Sequence, residues 1–182
     1  MNDSRSLIHF IYTGLACVIL VFTTAFSAHA VDDNLKFGGT LVSEPCELDP
    51  ATTDFEVDFR SVVQKSLYLY GRTPAIPFTI NLINCDIALA NSVTMTFTGS
   101  ESTNLPGLLA VTGTATGIAI GMEDQAGIPI PFNEATKPLA LEAGTTSITF
   151  MAYVEGEPDA IANQNIVPGT FTAIATFEIA YP

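Results

Sequence analysis

Gly169-Thr170-Phe171-Thr172-Ala173-Ile174-Ala175-Thr176-Phe177-Glu178-Ile179-Ala180-Tyr181-Pro182 is the stretch on which the fold turns. In an extended chain successive side chains point to opposite faces. Gly169, Phe171, Ala173, Ala175, Phe177, Ile179 and Tyr181 therefore share one face, with Thr172, Ile174, Thr176, Glu178 and Ala180 on the other. The run from Thr170 to Tyr181 is the longest β-pattern in the sequence, and apolar residues on both faces predict a central strand. Yet nothing after Pro182 is available to cover it. Paired small residues, Ala173 and Ala175, would leave a trough on its face rather than a ridge.

Shorter alternating runs precede it, separated by Gly, Pro, Asn and Asp. Phe55, Val57 and Phe59 alternate with Asp54, Glu56 and Asp58. Phe78, Ile80 and Leu82 lead to Cys85, and Val93, Met95 and Phe97 alternate with threonines. Ile118 and Ile120 run through a turn at Glu123 to Gly127 into Ile128-Pro129-Ile130. Ile148, Phe150, Ala152 and Val154 make another run, and Pro158 to Asn163 suits a short helix because proline is tolerated in a first turn. Seven or so short strands with turns between them predict an all-β sandwich. No Trp is present to pack on a disulfide, so an ordinary immunoglobulin domain is not expected.

The other end carries a second anomaly. Arg5, an apolar run from Leu7 to about Phe22 and the small-residue site Ser27-Ala28-His29-Ala30 follow the order of a secretory leader, with cleavage expected after Ala30. An uncleaved membrane anchor is the rival reading, since the run nearly suffices to span a bilayer. The mature chain then starts near Val31, and no later apolar stretch is long enough to keep it in a membrane. Leu35, Phe37, Gly39 and Leu41 alternate directly after the cleavage position, where a free terminus is usually disordered. Glycine within a strand often marks close approach of another backbone. An ordinary first strand is the simpler interpretation of this alternation.

Cleavage removes Cys17, His9 and His29 and leaves Cys46 and Cys85. Two cysteines in an exported domain suggest one disulfide, with two free buried thiols as the rival. Without histidine or a free thiol, Ser–His, Cys–His and His-ligated metal chemistry are excluded from the mature chain. A net charge of −13 disfavours nucleic acid, which needs a basic footprint. Carboxylate groups at Asp54/Glu56/Asp58, Glu123/Asp124 and Glu155/Glu157/Asp159 lack the opposed pair that glycoside hydrolysis requires and the regular ligand spacing of a calcium loop. No catalysis and no cofactor are expected. Tyr68, Tyr70 and Tyr153 are the aromatic candidates for a sugar-binding surface, with core or interface roles as the alternative.

At its two ends the sequence resembles the pilins of the chaperone–usher pathway. Their C-terminal motif is a glycine fourteen residues from the end, alternating apolar residues and a penultimate tyrosine, matched here by Gly169 and Tyr181. Phe37-Gly38-Gly39-Thr40-Leu41 followed by Pro45-Cys46 matches the N-terminal motif, and Cys85 follows a strand as the family's second disulfide cysteine does. Gly71-Arg72-Thr73-Pro74, Leu105-Pro106-Gly107 and Ala152-Tyr153-Val154 resemble the minor adaptor subunits of P-type pili. The one departure is Pro182, where family members often carry a polar or charged residue.

The resemblance implies an incomplete immunoglobulin-like β-sandwich, residues 43–182, that lacks its final strand and is completed in trans. Residues 31–42 would be a donor extension whose Leu35, Phe37 and Leu41 fill pockets in the preceding subunit, with Gly39 at a shallow point. Gly169, Phe171, Ala173, Ala175, Phe177, Ile179 and Tyr181 would border the acceptor groove and meet the chaperone. The implied partners are a periplasmic pilus chaperone, an outer-membrane usher and the preceding and following subunits. The implied destination is a fimbrium on the bacterial surface, reached through the periplasm. A major rod subunit and a self-contained carbohydrate-binding sandwich are the alternatives.

Overall fold

The computed structural model describes residues 37–41 and 43–182. They fall into two units, one ending at Leu41 and one running Val42–Pro182. The expected leader 1–30, its cleavage position after Ala30, and Leu35 lie outside the described residues. In the first unit Phe37 to Leu41 adopt neither helix nor strand, and all five residues are exposed.

In the second unit, strands form where aromatic and β-branched residues alternate with polar ones. They are β1 (Glu47–Leu48), β2 (Ile76–Cys85), β3 (Ser92–Gly99), β4 (Leu109–Ala110), β5 (Thr112–Gly113), β6 (Ile118–Asp124), β7 (Leu139–Ala140), β8 (Gly144–Gly156), β9 (Phe171–Thr172) and β10 (Ala175–Ala180). One sheet has the order β1-β2-β8-β6-β4, a second β10-β3-β7, and β5 pairs with β9 in a small ribbon. Every pairing is antiparallel.

Register places apolar residues on facing inner surfaces. Phe78 lies opposite Phe150 and Ile80 opposite Ile148 across β2 and β8. Phe97 lies opposite Phe177 and Met95 opposite Ile179 across β3 and β10. Ile80, Leu82, Met122 and Phe150 of the first sheet then share one buried cluster with Val93, Met95 and Phe97 of the second. Two sheets joined through such a core make a β-sandwich. Phe97 and Phe150 meet edge to face with ring centroids 5.0 Å apart, the arrangement that the aromatic quadrupole favours.

A smaller cluster of Leu67, Ala115, Ile118, Val154, Ala160 and Ile166 includes residues of two short helices, α1 (Gln64–Tyr70) and α2 (Pro158–Ala162). The proline-led pattern at 158–163 predicts α2. Alternation gives no sign of α1, which buries only Leu67 and ends at Gly71. Gly71 has φ 79° and its N–H donates to the Leu67 carbonyl, so a glycine just past Tyr70 is the signal that marks this helix.

Three expectations need correction. The Phe55–Phe59 segment keeps its alternation but pairs with no strand. The Thr170–Tyr181 run is interrupted at Ala173 and Ile174, and β8, with 13 residues, is the longest strand. Finally, β10 is an edge strand rather than a central one, since it pairs with β3 alone.

Candidate functional site

The two misread segments bound the same part of the molecule. Among the described residues, β10 pairs with β3 alone, and residues 55–59 make no backbone–backbone hydrogen bond. At one end the Tyr181 hydroxyl donates to the Cys46 carbonyl at 3.3 Å. At the other, the Phe59 and Phe171 rings lie 6.1 Å apart. The segment leading from Cys46 to Phe59 therefore runs antiparallel to that leading from Phe171 to Tyr181.

Between these walls the core is incompletely covered. Phe55 rests on Phe78 at 5.4 Å, Phe78 on Phe97 at 6.3 Å, and Phe97 on Phe177 at 6.2 Å, so the Phe78 and Phe97 rings form a floor. Phe171, Ala173, Phe177, Ile179 and Tyr181 pack on this core but stay only half-buried. Ala175 is exposed on the same face. Gly169 is exposed too, but a Cβ there would collide with Thr114. A half-buried apolar strip beside a strand edge that lacks a backbone partner has the chemistry to accept a further extended strand.

Cys46 and Cys85 are joined across 39 positions, tying the start of this unit to the end of β2. Both are buried in the main core. Because the Cys46 carbonyl accepts from Tyr181, the disulfide also anchors the C-terminal end of the chain. Burial pushes the Tyr181 phenol above its usual pKa, and the charge of Glu44 adds to this.

The carboxylate groups lie elsewhere or serve other ends. Glu123 belongs to β6 rather than to a turn, is buried, and accepts from both terminal guanidinium nitrogens of Arg72, at 2.6 and 3.3 Å. Asp124 closes the following turn by accepting from the Ala126 and Ile128 amides. Glu155 lies on β8, also not in a turn, and Glu157 accepts from Asn104 at 2.8 Å. No group of His, Cys, Asp or Glu among the described residues is arranged to hold a metal ion.

Tyr153 is no surface aromatic. It points away from the core along β8, yet is only 4% exposed, because Arg72 stacks over its ring at 4.3 Å. Gly121 lies beneath the ring, where any Cβ would collide with it. Tyr68 is half-buried and its hydroxyl accepts from the Ile166 amide at 3.1 Å, which leaves Tyr70 exposed.

Burial raises the Tyr153 pKa, as does Glu155, while Arg72 opposes them. A phenol whose folded pKa lies above its unfolded value of 10.0 contributes stability below that pH and loses it as pH rises through the folded pKa. In Tyr153→Phe, stability measured by urea unfolding is expected to fall less steeply than in the parent between about pH 9 and about pH 11. Parallel curves would show that Tyr153 contributes nothing to the alkaline loss.

Comparisons place this geometry among known proteins. Residues 35–182 match the family described as fimbrial protein. The Fimbria A protein of Serratia marcescens is 34% identical over 92% of this chain and 96% of its own length. The fimbrial adapter PapK of Escherichia coli is 32% identical over 90% of this chain and 96% of its own. The crystal structure of the P pilus rod subunit PapA superposes with a TM-score of 0.67 at 24% identity, covering 76% of this chain and all of that one.

Proposed function

Because the chain belongs to the fimbrial protein family, we propose that it is a minor, adaptor-type subunit of a chaperone–usher fimbria, polymerised by donor-strand exchange. The fold is the immunoglobulin-like sandwich of pilus subunits. The observation that carries the proposal is the half-buried apolar strip beside a strand edge that lacks a backbone partner. Left open, such a strip is an aggregation hazard, so a periplasmic chaperone lends a strand to it during export. At the outer-membrane usher, the N-terminal extension of the next subunit takes that place.

The chain gives as well as receives. Residues 31–42 are its donor strand, with Leu35, Phe37 and Leu41 seated in the preceding subunit and Gly39 where the groove is too shallow for a side chain. Each large apolar side chain withdrawn from water contributes on the order of 1.5–3 kcal/mol, against the entropy of ordering the arm. The adaptor assignment draws support from the likeness to PapK across nearly the whole chain. The role is structural, the contribution to adhesion is indirect, and the site of action is the fimbrium outside the cell.

The test is to express the chain with its cognate periplasmic chaperone and purify it from the periplasm. A one-to-one complex is expected, with mass spectrometry identifying the bound subunits. Placing an acidic group in the strip by Ile179→Asp should abolish recovery of that complex. Isolation of the parent chain solely as a stable free monomer would refute the open-groove reading.

A further inference from the structure

The groove is apolar inside and acidic along its lips. Phe55, Val57 and Phe59 alternate with Asp54, Glu56 and Asp58, all three of which are exposed. On the opposite wall, Phe177 and Ile179 pack on the core while Glu178 between them is exposed. Glu44, also exposed, is near enough for its charge to act on Tyr181 at the Cys46 end. Among the described residues none of these five carboxylates is ion-paired. Asp58 does accept from the Arg60 amide at 2.7 Å, which leaves its charge in place. Arg60 and Lys65 are the cations nearest in sequence, and both lie beyond the Phe59 end.

A strand laid in the groove alternates too. Its inward side chains meet the aromatic floor, and its outward ones lie about 5 Å from those of the flanking strands. Opposite charges on such neighbours stabilise pairing and like charges oppose it.

We propose that the natural occupant of this groove is a strand from a different chain, bearing lysine or arginine at the positions that alternate with its apolar residues. The inference rests on the strand-acceptor reading above and adds the identity of the donor to it. A second copy of this chain is a poor occupant by the same chemistry. Its Asp32, Asn34, Lys36, Gly38 and Thr40 alternate with the apolar set, and Asp33 adds a further negative charge. Two aspartates against one lysine give no attraction to an acidic rim. The groove therefore selects against self-polymerisation.

The test uses the full chain purified as its chaperone complex, and synthetic peptides that copy residues 31–42 with Asp33 replaced by serine and compete for the groove. Positions 32, 34, 36, 38 and 40 are all set to lysine, to glutamate or to serine. At about 20 mM salt the lysine peptide is expected to bind about tenfold or more tightly than the glutamate peptide, with serine between. At about 0.5 M salt, where charges are screened within a few Å, the gap should close. It should close also in a Glu56→Gln/Asp58→Asn/Glu178→Gln variant, whose exposed substitutions leave the core untouched. Equal binding of all three peptides overturns the charge selection and leaves the acceptor reading standing. Failure of every peptide to bind overturns both. Binding of the unmodified 31–42 peptide as tightly as the lysine form overturns the exclusion of a second copy.

Discussion

Replacing Gly39 by tryptophan is expected to remove the chain from assembled fibres while leaving its yield with the chaperone unchanged. The separation of the two effects follows from where Gly39 lies. A Cβ built there meets nothing within 4 Å, and the flanking Phe37 and Leu41 are 89% and 101% exposed. A side chain added at this position therefore starts into open space. On the proposed donor role, it acts when the segment seats in a neighbour, where the glycine would face a shallow part of the groove. Overfilling a packed site costs about 1–3 kcal/mol, equivalent to roughly 5- to 150-fold weaker docking. Gly39→Ala should fall between the two. The measurement is the ratio of chain in sheared fibres to chain in the periplasm. A tryptophan variant incorporated as well as the parent would show that residues 31–42 are not the strand this subunit donates.

Loss of the disulfide is expected to have the largest effect on stability. Cys46 and Cys85 close a loop with a sequence separation of 39. In the chain-entropy account such a loop contributes about 4 kcal/mol. Against a usual domain stability of roughly 5–15 kcal/mol, that is a large share. Cys46→Ala/Cys85→Ala avoids a stray thiol and should lower the stability measured by urea unfolding by about 2–5 kcal/mol. The loss is not confined to the core. Cys46 lies beside β1, which pairs with β2 through Glu47–Ile83 and Leu48–Leu82, and its carbonyl accepts from Tyr181. Loosening that end should also disorder the strip beside β10 and reduce recovery with the chaperone. A double variant within about 0.5 kcal/mol of the parent would mean that pairing of β1 with β2 alone positions Cys46.

What was legible from the sequence was the alternation itself. The runs at Phe78–Cys85, Val93–Phe97 and Ile148–Val154 lie within β2, β3 and β8, with the expected residues on the inner faces. The proline-led helix also formed where its pattern falls. Arg72 was not legible as a partner, because its contacts with Glu123 and Tyr153 join positions 51 and 81 residues away that only the fold brings together. Of the two readings open for Tyr153, a surface aromatic or a core or interface residue, the structure shows the covered one.

Two segments were misjudged for one physical reason. Side-chain period reports what lies above and below a sheet, whereas strand pairing runs within its plane and involves peptide groups that every residue carries. The sequence by itself determined that 55–59 and 171–181 alternate and that Phe59, Phe171, Ala173, Phe177, Ile179 and Tyr181 face the core. It also determined, through its paired terminal motifs, which family the chain resembles. Only the tertiary structure decided that 55–59 pairs with no strand, that β10 pairs with β3 alone, and that both flank the Phe78–Phe97 side of the core. The hydrophobic pattern of a strand beside a missing neighbour is the pattern of a strand beside a present one, so the gap becomes visible only when the chain is folded around it.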